Sequence, residues 1–221
     1  MKTKIQHKKK MKTNKIEIRA YDASLQSAED SRTITGLAIP VNSKSKLLRS
    51  MDGDFYETVL PEAVTEELIR SNDVKLYLDH IEGKGTFARS KYGEGSLKLF
   101  ITDRGLEFET EAPNTVFGDA LLESIRRGDA DSVSFGFVVG EDEWTRNEDG
   151  ILERSIKSYA MLAEISILTQ APAFDATDVK IRSLEDFQEK ERQEAARKDA
   201  ILKRLSDRMQ DINKVAEFYT I

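Results

Sequence analysis

From Lys15 onward the apolar and polar positions fall into a succession of short alternating runs. "KIEIRAY" sets Ile16, Ile18 and Ala20 against charged neighbours. "TITGLAIPV" is apolar and β-branched, with Gly36 placed for a bulge, and "DGDFYETVL" passes from turn chemistry into a strand. The period then changes. In "LPEAVTEELIRSND" Pro61 suits a first helical turn, and Val64, Leu68 and Ile69 fall on one face, which predicts a helix. "VKLYLDH", "GTFARS", "GSLKLFITD" and "GLEFETEA" follow as strands separated by Gly and Asp turns, a set of hairpins or a meander.

A second helix is predicted in "NTVFGDALLESIRRGD", with Asn114 or Thr115 as its cap and Gly128 as its stop. Its expected buried stripe is Val116, Phe117, Ala120, Leu121 and Ile125. "DSVSFGFVVG" reads as a strand and "EDEWTRNEDG" as a polar turn; "ILERSIKSY", "MLAEISILT" and "DVKIRS" read as the last strands. From Leu184 to Phe218 the chain is helix-forming, densely charged and free of Gly and Pro. Leu202, Leu205, Met209 and Ile212 form a short 3-4 seam. No internal repeat is evident. The expected fold is α+β: an antiparallel β-barrel-like core with helices packed outside, plus a charged C-terminal helix. The expected division is a disordered basic leader at 1–13, a folded domain at 14–183 and a helical extension at 184–221, with Met11 placed to read as a fresh start.

Composition narrows the function. The 221 residues include no cysteine, which excludes disulfides, a thiol nucleophile and cysteine-ligated zinc. No apolar run is long enough to span a bilayer, and no apolar segment follows the basic leader as a secretory signal requires. The net charge is −6 although the leader is strongly positive, so the folded part is more acidic than the whole. Such a body argues against broad contact with phosphate backbones.

Only two histidines occur, and His7 lies in the leader. His80 closes the apolar strand "KLYLDH". Taken alone it reads as a strand-end histidine bonded to backbone, and one histidine among scattered acids is not a metal site. "DSVSFGF" places Ser132, Ser134 and Gly136 on one strand face and Val133, Phe135 and Phe137 on the other. The large groups anchor the core side, and the small ones are expected to leave open space that a serine nucleophile needs. A solvent-facing strand would look the same. Glu164 stands among Met161, Leu162, Ile165 and Ile167. A carboxylate there needs a partner such as an imidazole N–H, unless it lies on a wet face beside Ser166. Asp79 adjoins His80, but strand neighbours point to opposite faces.

The ordered set His80, Ser134, Glu164 resembles the prohead serine proteases of tailed phages, which are related to the herpesvirus assemblin fold. The resemblance runs from about Lys15 to Ser183. It is carried by "ITGLAIPVNSKS", "FYETVLPEAV", "LYLDH", "ITDRGLEFETEAPNTVFGDALLESIRRGDADSVSFGFVV", "LAEISILTQAPAFDAT" and "VKIRSL". It implies His80 as general base, Ser134 as nucleophile and Glu164 as third member. Members more usually carry glycine where Ser132 stands, which makes Ser132 an alternative nucleophile. "TQAPAFD" departs from the usual aromatic-proline rhythm of that loop. Related enzymes use other residues as the third member.

The resemblance further implies a serine endopeptidase of procapsid maturation that needs no cofactor or metal. It would act in the host cytoplasm inside the assembling procapsid, on scaffold and major capsid protein, and also on itself. A homo-oligomer is compatible with this reading, and no membrane partner is expected. Two rival readings stand beside it. One is a non-catalytic assembly module that binds capsid or scaffold protein through the C-terminal helix. The other is a barrel that binds single-stranded nucleic acid through the leader, which the acidic body opposes.

Overall fold

In a computed structural model of the chain, the described residues are 16–169 except 24, 29, 51, 52, 83 and 84, together with 176–177 and 182–218. The expected leader, the loop at 170–175 and most of "DVKIRS" lie outside them. The chain divides into two compact units, Met1–Val179 and Lys180–Ile221.

In the first unit, β1 (Glu17–Asp22), β2 (Thr33–Pro40), β3 (Arg49–Ser50) and β4 (Phe55–Val59) lead to a 3-10 turn, Pro61–Ala63, and the short helix α1 (Glu66–Ser71). Then come β5 (Asp73–Leu78), β6 (Ala88–Lys91), β7 (Glu94–Gly95), β8 (Leu97–Thr102) and β9 (Gly105–Glu111). Helix α2 (Val116–Arg127) precedes β10 (Ser132–Arg146), β11 (Leu152–Leu168) and β12 (Ala176–Thr177). The second unit contains α3 (Arg182–Phe218), on which Leu202, Leu205 and Met209 are exposed. "DVKIRS" therefore ends in helix at Arg182 and Ser183, not in a strand.

The α+β class holds, but among the described residues no sheet closes into a barrel. The main sheet runs β1-β10-β11-β5-β6-β7, with β4 also on β11; β2-β9-β8 form a second sheet and β12-β3 a two-stranded one. Nor is the pairing all antiparallel. β4 and β5 both run parallel to β11, at Leu152–Ile156 and Glu164–Ile167 respectively. Parallel neighbours need a crossover. Here one 17-residue strand accepts both, and the turn and α1 make the connection.

Several local expectations shift. The first helix is split: Val64 is extended, and Thr65 caps α1 by accepting the Leu68 N–H. The irregularity in β2 falls between Leu37 and Ile39, not at Gly36. The expected polar turn is mostly strand, because β10 continues to Arg146 and only Asn147–Gly150 reverses the chain. Trp144 is buried there, edge-on to Phe55 at 5.1 Å.

α2 has the expected cap, Thr115, whose hydroxyl accepts the Gly118 N–H, and it ends at Gly128 in the left-handed region. Its buried stripe is different. Gly118, Leu121, Leu122 and Ile125 face inward, while Val116 and Phe117 are 84% and 65% exposed and Ala120 is exposed too. Gly118 decides the rotation: a Cβ there would lie 1.9 Å from the Pro113 carbonyl oxygen. A hydropathy pattern treats glycine as blank, whereas here it is the point of closest approach.

One apolar core joins the sheets, with Ile34, Phe108, Phe135, Phe137, Leu162 and Ile165 at its centre. Alternating strands ordinarily turn apolar residues toward such a core. β1 does the reverse. Glu17 and Arg19 are buried, and Ile16 and Ile18 are each 47% exposed. The cause is an ion network inside the sheet. The Arg154 guanidinium donates to Glu17 (2.7 and 3.0 Å), Glu57 (3.0 Å) and Asp142 (2.8 Å). Arg19 donates to Glu57 (2.7 and 2.8 Å) and Glu17 (2.8 Å). Charges this deep are tolerated only when paired and hydrogen-bonded. β1 therefore faces its charged side inward.

Candidate active site

β5 ends at Leu78, and the chain then turns sharply. Asp79 and His80 both adopt left-handed backbone conformations, with φ of 51° and 57°. Such conformations cost non-glycine residues on the order of 1 kcal/mol or more and persist when surrounding contacts enforce them. Asp79 supplies those contacts. Its carboxylate accepts from the Thr169 N–H (2.8 Å) and hydroxyl (2.7 Å), and its own N–H donates to Ile167 O (3.0 Å). Asp79 thus fastens the turn to the end of β11. Its carboxylate is engaged by Thr169 and not by the imidazole ring.

The turn brings His80 over β11. Its Nδ1 lies 2.6 Å from Glu164 Oε1 and 3.2 Å from Ser166 Oγ. Glu164 and Ser166 are two apart on one strand and so share a face. With both on Nδ1, Nε2 is the nitrogen left for another group. The ring remains partly open to solvent, and the Glu164 side chain is mostly buried. The alternative placement of Glu164 on a wet face is therefore overturned; the carboxylate has the imidazole partner that its apolar setting calls for.

Ser134 and Gly136 lie on the next strand. In the β10–β11 ladder Ser134 is paired with Ser166, and Gly136 with Glu164. Directly paired antiparallel Cα atoms are about 5 Å apart. Glu164 leans across Gly136, where a Cβ would stand 2.9 Å from its Cγ. The glycine is the seat of the carboxylate. Ser132 sits one pair further along, opposite Leu168, and its hydroxyl donates to Asp131 Oδ1 at 2.9 Å.

The expected open space beside the serines is absent. Ser134 is 0% exposed, and its hydroxyl has no hydrogen-bond partner among the described residues. Small side chains do not guarantee a cleft. Here Ala20 of β1 pairs with Ser134 on one side and Ser166 on the other. An unsatisfied buried hydroxyl is costly; Ser90 and Tyr159 share the condition, and Ser134 is the one whose strand partner touches the His80 ring.

The structure thus brings His80 and Glu164 into contact and places Ser134 one strand away, with no direct bond to the ring. Ser166 is the contact that the pattern of residue types did not single out. Its i, i+2 spacing from Glu164 was the available signal. Among the described residues no three His, Asp or Glu side chains gather as a metal cluster. No described helix is long and apolar enough to cross a membrane.

No curated protein matches the chain. Among solved structures, the bacteriophage T4 capsid assembly protease, gp21, is similar with a TM-score of 0.45 and 11% identity, covering 70% of this chain and 99% of that one. A family model described as caudovirus prohead serine protease matches residues 14–192, most of the chain and all three candidate positions. On that match, the chain belongs to the caudovirus prohead serine proteases.

Proposed function

We propose that the chain is a serine endopeptidase of procapsid maturation in which Ser134 attacks the peptide carbonyl, His80 moves the proton and Glu164 holds the ring. The observation that carries this reading is the 2.6 Å contact between His80 Nδ1 and Glu164 Oε1, made on the face that also carries Ser134. Glu164 accepts a hydrogen bond from Nδ1–H, which sets the tautomer and leaves Nε2 to take the serine proton. The hydroxyl oxygen then bonds to the carbonyl carbon. His80 returns the proton to the leaving amine as the peptide C–N bond breaks. Water hydrolyses the acyl-enzyme by the same relay in reverse. Ser134 is favoured over Ser132 because its strand partner, Ser166, touches the imidazole, whereas Ser132 is paired with Leu168 and engaged by Asp131.

Family membership supports scaffold and capsid proteins inside the assembling procapsid as the proposed substrates, with the chain itself as a further proposed substrate. In the present state Ser134 is covered, so cleavage requires local opening around the His80 turn. That burial also favours a second reading, an assembly module that keeps the fold and binds capsid or scaffold protein without cutting it.

An acylating probe such as a fluorophosphonate separates the two readings. The protease reading expects labelling at Ser134 in the intact chain, lost in Ser134→Ala and kept in Ser132→Ala, with scaffold cleaved only by the labelled forms. Scaffold binding without labelling of either serine, and without any cleavage, would establish the assembly module instead.

A further inference from the structure

The turn that presents His80 is an unusual one for the residues in it. The Ile81 N–H donates to Leu78 O at 3.0 Å, so Leu78–Ile81 is a four-residue reverse turn. Its central residues, Asp79 and His80, have φ of 51° and 57°. Positive φ at both central positions is the sign of a type I′ turn, in which glycine, asparagine and aspartate dominate. Aspartate in the first position fits that preference, and histidine in the second does not. The ring is held at its far end, 2.6 Å from Glu164 Oε1 and 3.2 Å from Ser166 Oγ. The backbone is held from a different point. The Asp79 N–H donates to Ile167 O at 3.0 Å, and the Asp79 carboxylate spans Thr169, accepting from its N–H at 2.8 Å and its hydroxyl at 2.7 Å. Those two distances are typical of hydrogen bonds to an ionised acceptor. β11 and the residue just beyond it therefore grip both the ring of His80 and the residue before it.

We propose that Asp79 is a positioning residue of the site. Its two bonds to Thr169 hold the turn in the left-handed form, and the turn aims the imidazole at Glu164. Asp79 acts only through the backbone of His80 and touches no reacting atom. Without the carboxylate, both residues relax toward the negative φ that side chains ordinarily prefer, and the Cα–Cβ bond of His80 swings away from β11. The clamp lies at the surface, where water replaces lost hydrogen bonds, so it governs geometry more than stability. The inference rests on the proposed role of His80 as the base.

The test is steady-state cleavage of scaffold protein by the full chain and by three variants at position 79. The His80 Nδ1–H resonance and the urea midpoint are followed alongside. Asp79→Ala removes the clamp and disfavours positive φ. Its kcat is expected to fall about 10²-fold with KM nearly unchanged, the scale of a displacement of about 1 Å. The Nδ1–H resonance should be lost, and the urea midpoint should stay near that of the wild type. Asp79→Gly permits positive φ without a steric penalty but has no carboxylate, so it should remain slow. Asp79→Asn tolerates the left-handed region and can still bridge Thr169, its oxygen accepting the N–H and its amide donating to the hydroxyl oxygen. It should recover most of kcat. Wild-type kcat in Asp79→Ala, or an unchanged Nδ1–H resonance there, would overturn the proposal. A rise in kcat would do the same, because it would make the Asp79–Thr169 pair a latch on the closed state. Wild-type kcat in Asp79→Gly would reduce Asp79 to a turn former, and a collapsed urea midpoint in all three variants would give it a purely structural role; both outcomes overturn the proposal. All of these leave the protease reading intact. Absence of cleavage by the wild type, or wild-type cleavage by His80→Ala, would instead defeat that reading and the positioning role with it.

Discussion

Two groups of buried polar residues lie in the main sheet, and they are finished to different degrees. Around Arg154, five charged side chains from β1, β4, β10 and β11 satisfy one another, and the guanidinium is 1% exposed. Around His80, a strained turn holds the imidazole against Glu164 and Ser166, and the Ser134 hydroxyl on the adjacent strand has no partner among the described residues. The first group is closed: each atom's best partner is already present, so a change there is felt as stability. The second is less complete: among the described residues the Ser134 hydroxyl has no partner, and under the proposed protease reading a change there is felt as chemistry. A buried hydroxyl without a partner costs about 1–3 kcal/mol. Beside the Arg154 group the Tyr159 hydroxyl is likewise buried without a partner among the described residues, but the five charged groups there are paired with one another.

The sharpest break of the comparison is Ser134→Ala. Cleavage of scaffold is expected to fall roughly 10⁶-fold, the scale seen when a serine nucleophile is removed. Stability measured by urea unfolding should stay level or rise slightly, because the alanine deletes an unsatisfied hydroxyl. Next is Glu164→Gln. It preserves shape but no longer fixes the charged imidazole or its tautomer, and kcat should drop about 10⁴-fold with little change in KM.

Arg154→Leu tests the closed group. It strands Glu17, Glu57 and Asp142 with Arg19 as the remaining cation, and unfolding free energy should fall by about 3–5 kcal/mol. The same variant should alter the acid response. Burial alone would raise the Glu17 pKa, but the hydrogen bond and charge of Arg154, then of Arg19, outweigh it and hold the carboxyl below its ordinary value of 4.5. A depressed carboxylate pKa contributes stability above the ordinary value that is lost as pH falls through and below it. Urea midpoints of the wild type should decline below about pH 4.5, and the decline should be shallower in Arg154→Leu. The smallest expected effect is that of Gly136→Ala. Its methyl group displaces the Glu164 side chain, and a displacement of about 1 Å should lower kcat about 10²-fold while leaving the urea midpoint close to that of the wild type.

Much of this molecule is readable without coordinates. The strands from "KIEIRAY" to "GLEFETEA", the Thr115 cap and the Gly128 stop follow from alternation, β-branching and turn chemistry, which act over a few residues. His80 and Glu164 were identifiable as candidates because each residue type is out of place in its own apolar run, and Ser134 because of its small-residue face. What could not be read is what depends on distant partners. The outward face of β1 is set by Arg154, 135 residues away from Arg19 in the chain. The rotation of α2 is set by the approach of Gly118 to Pro113, and the burial of Ser134 is a property of the folded chain.

By itself, the amino-acid sequence determined most of the segments that extend or coil and singled out His80, Ser134 and Glu164 as candidates, because backbone propensity and residue type are local properties. Tertiary structure alone decided which face of each segment is buried, that β4 and β5 run parallel to β11, and that His80 meets Glu164 while Ser134 stays closed. Burial and pairing are free energies shared among segments, and the residues on one segment do not contain their partners.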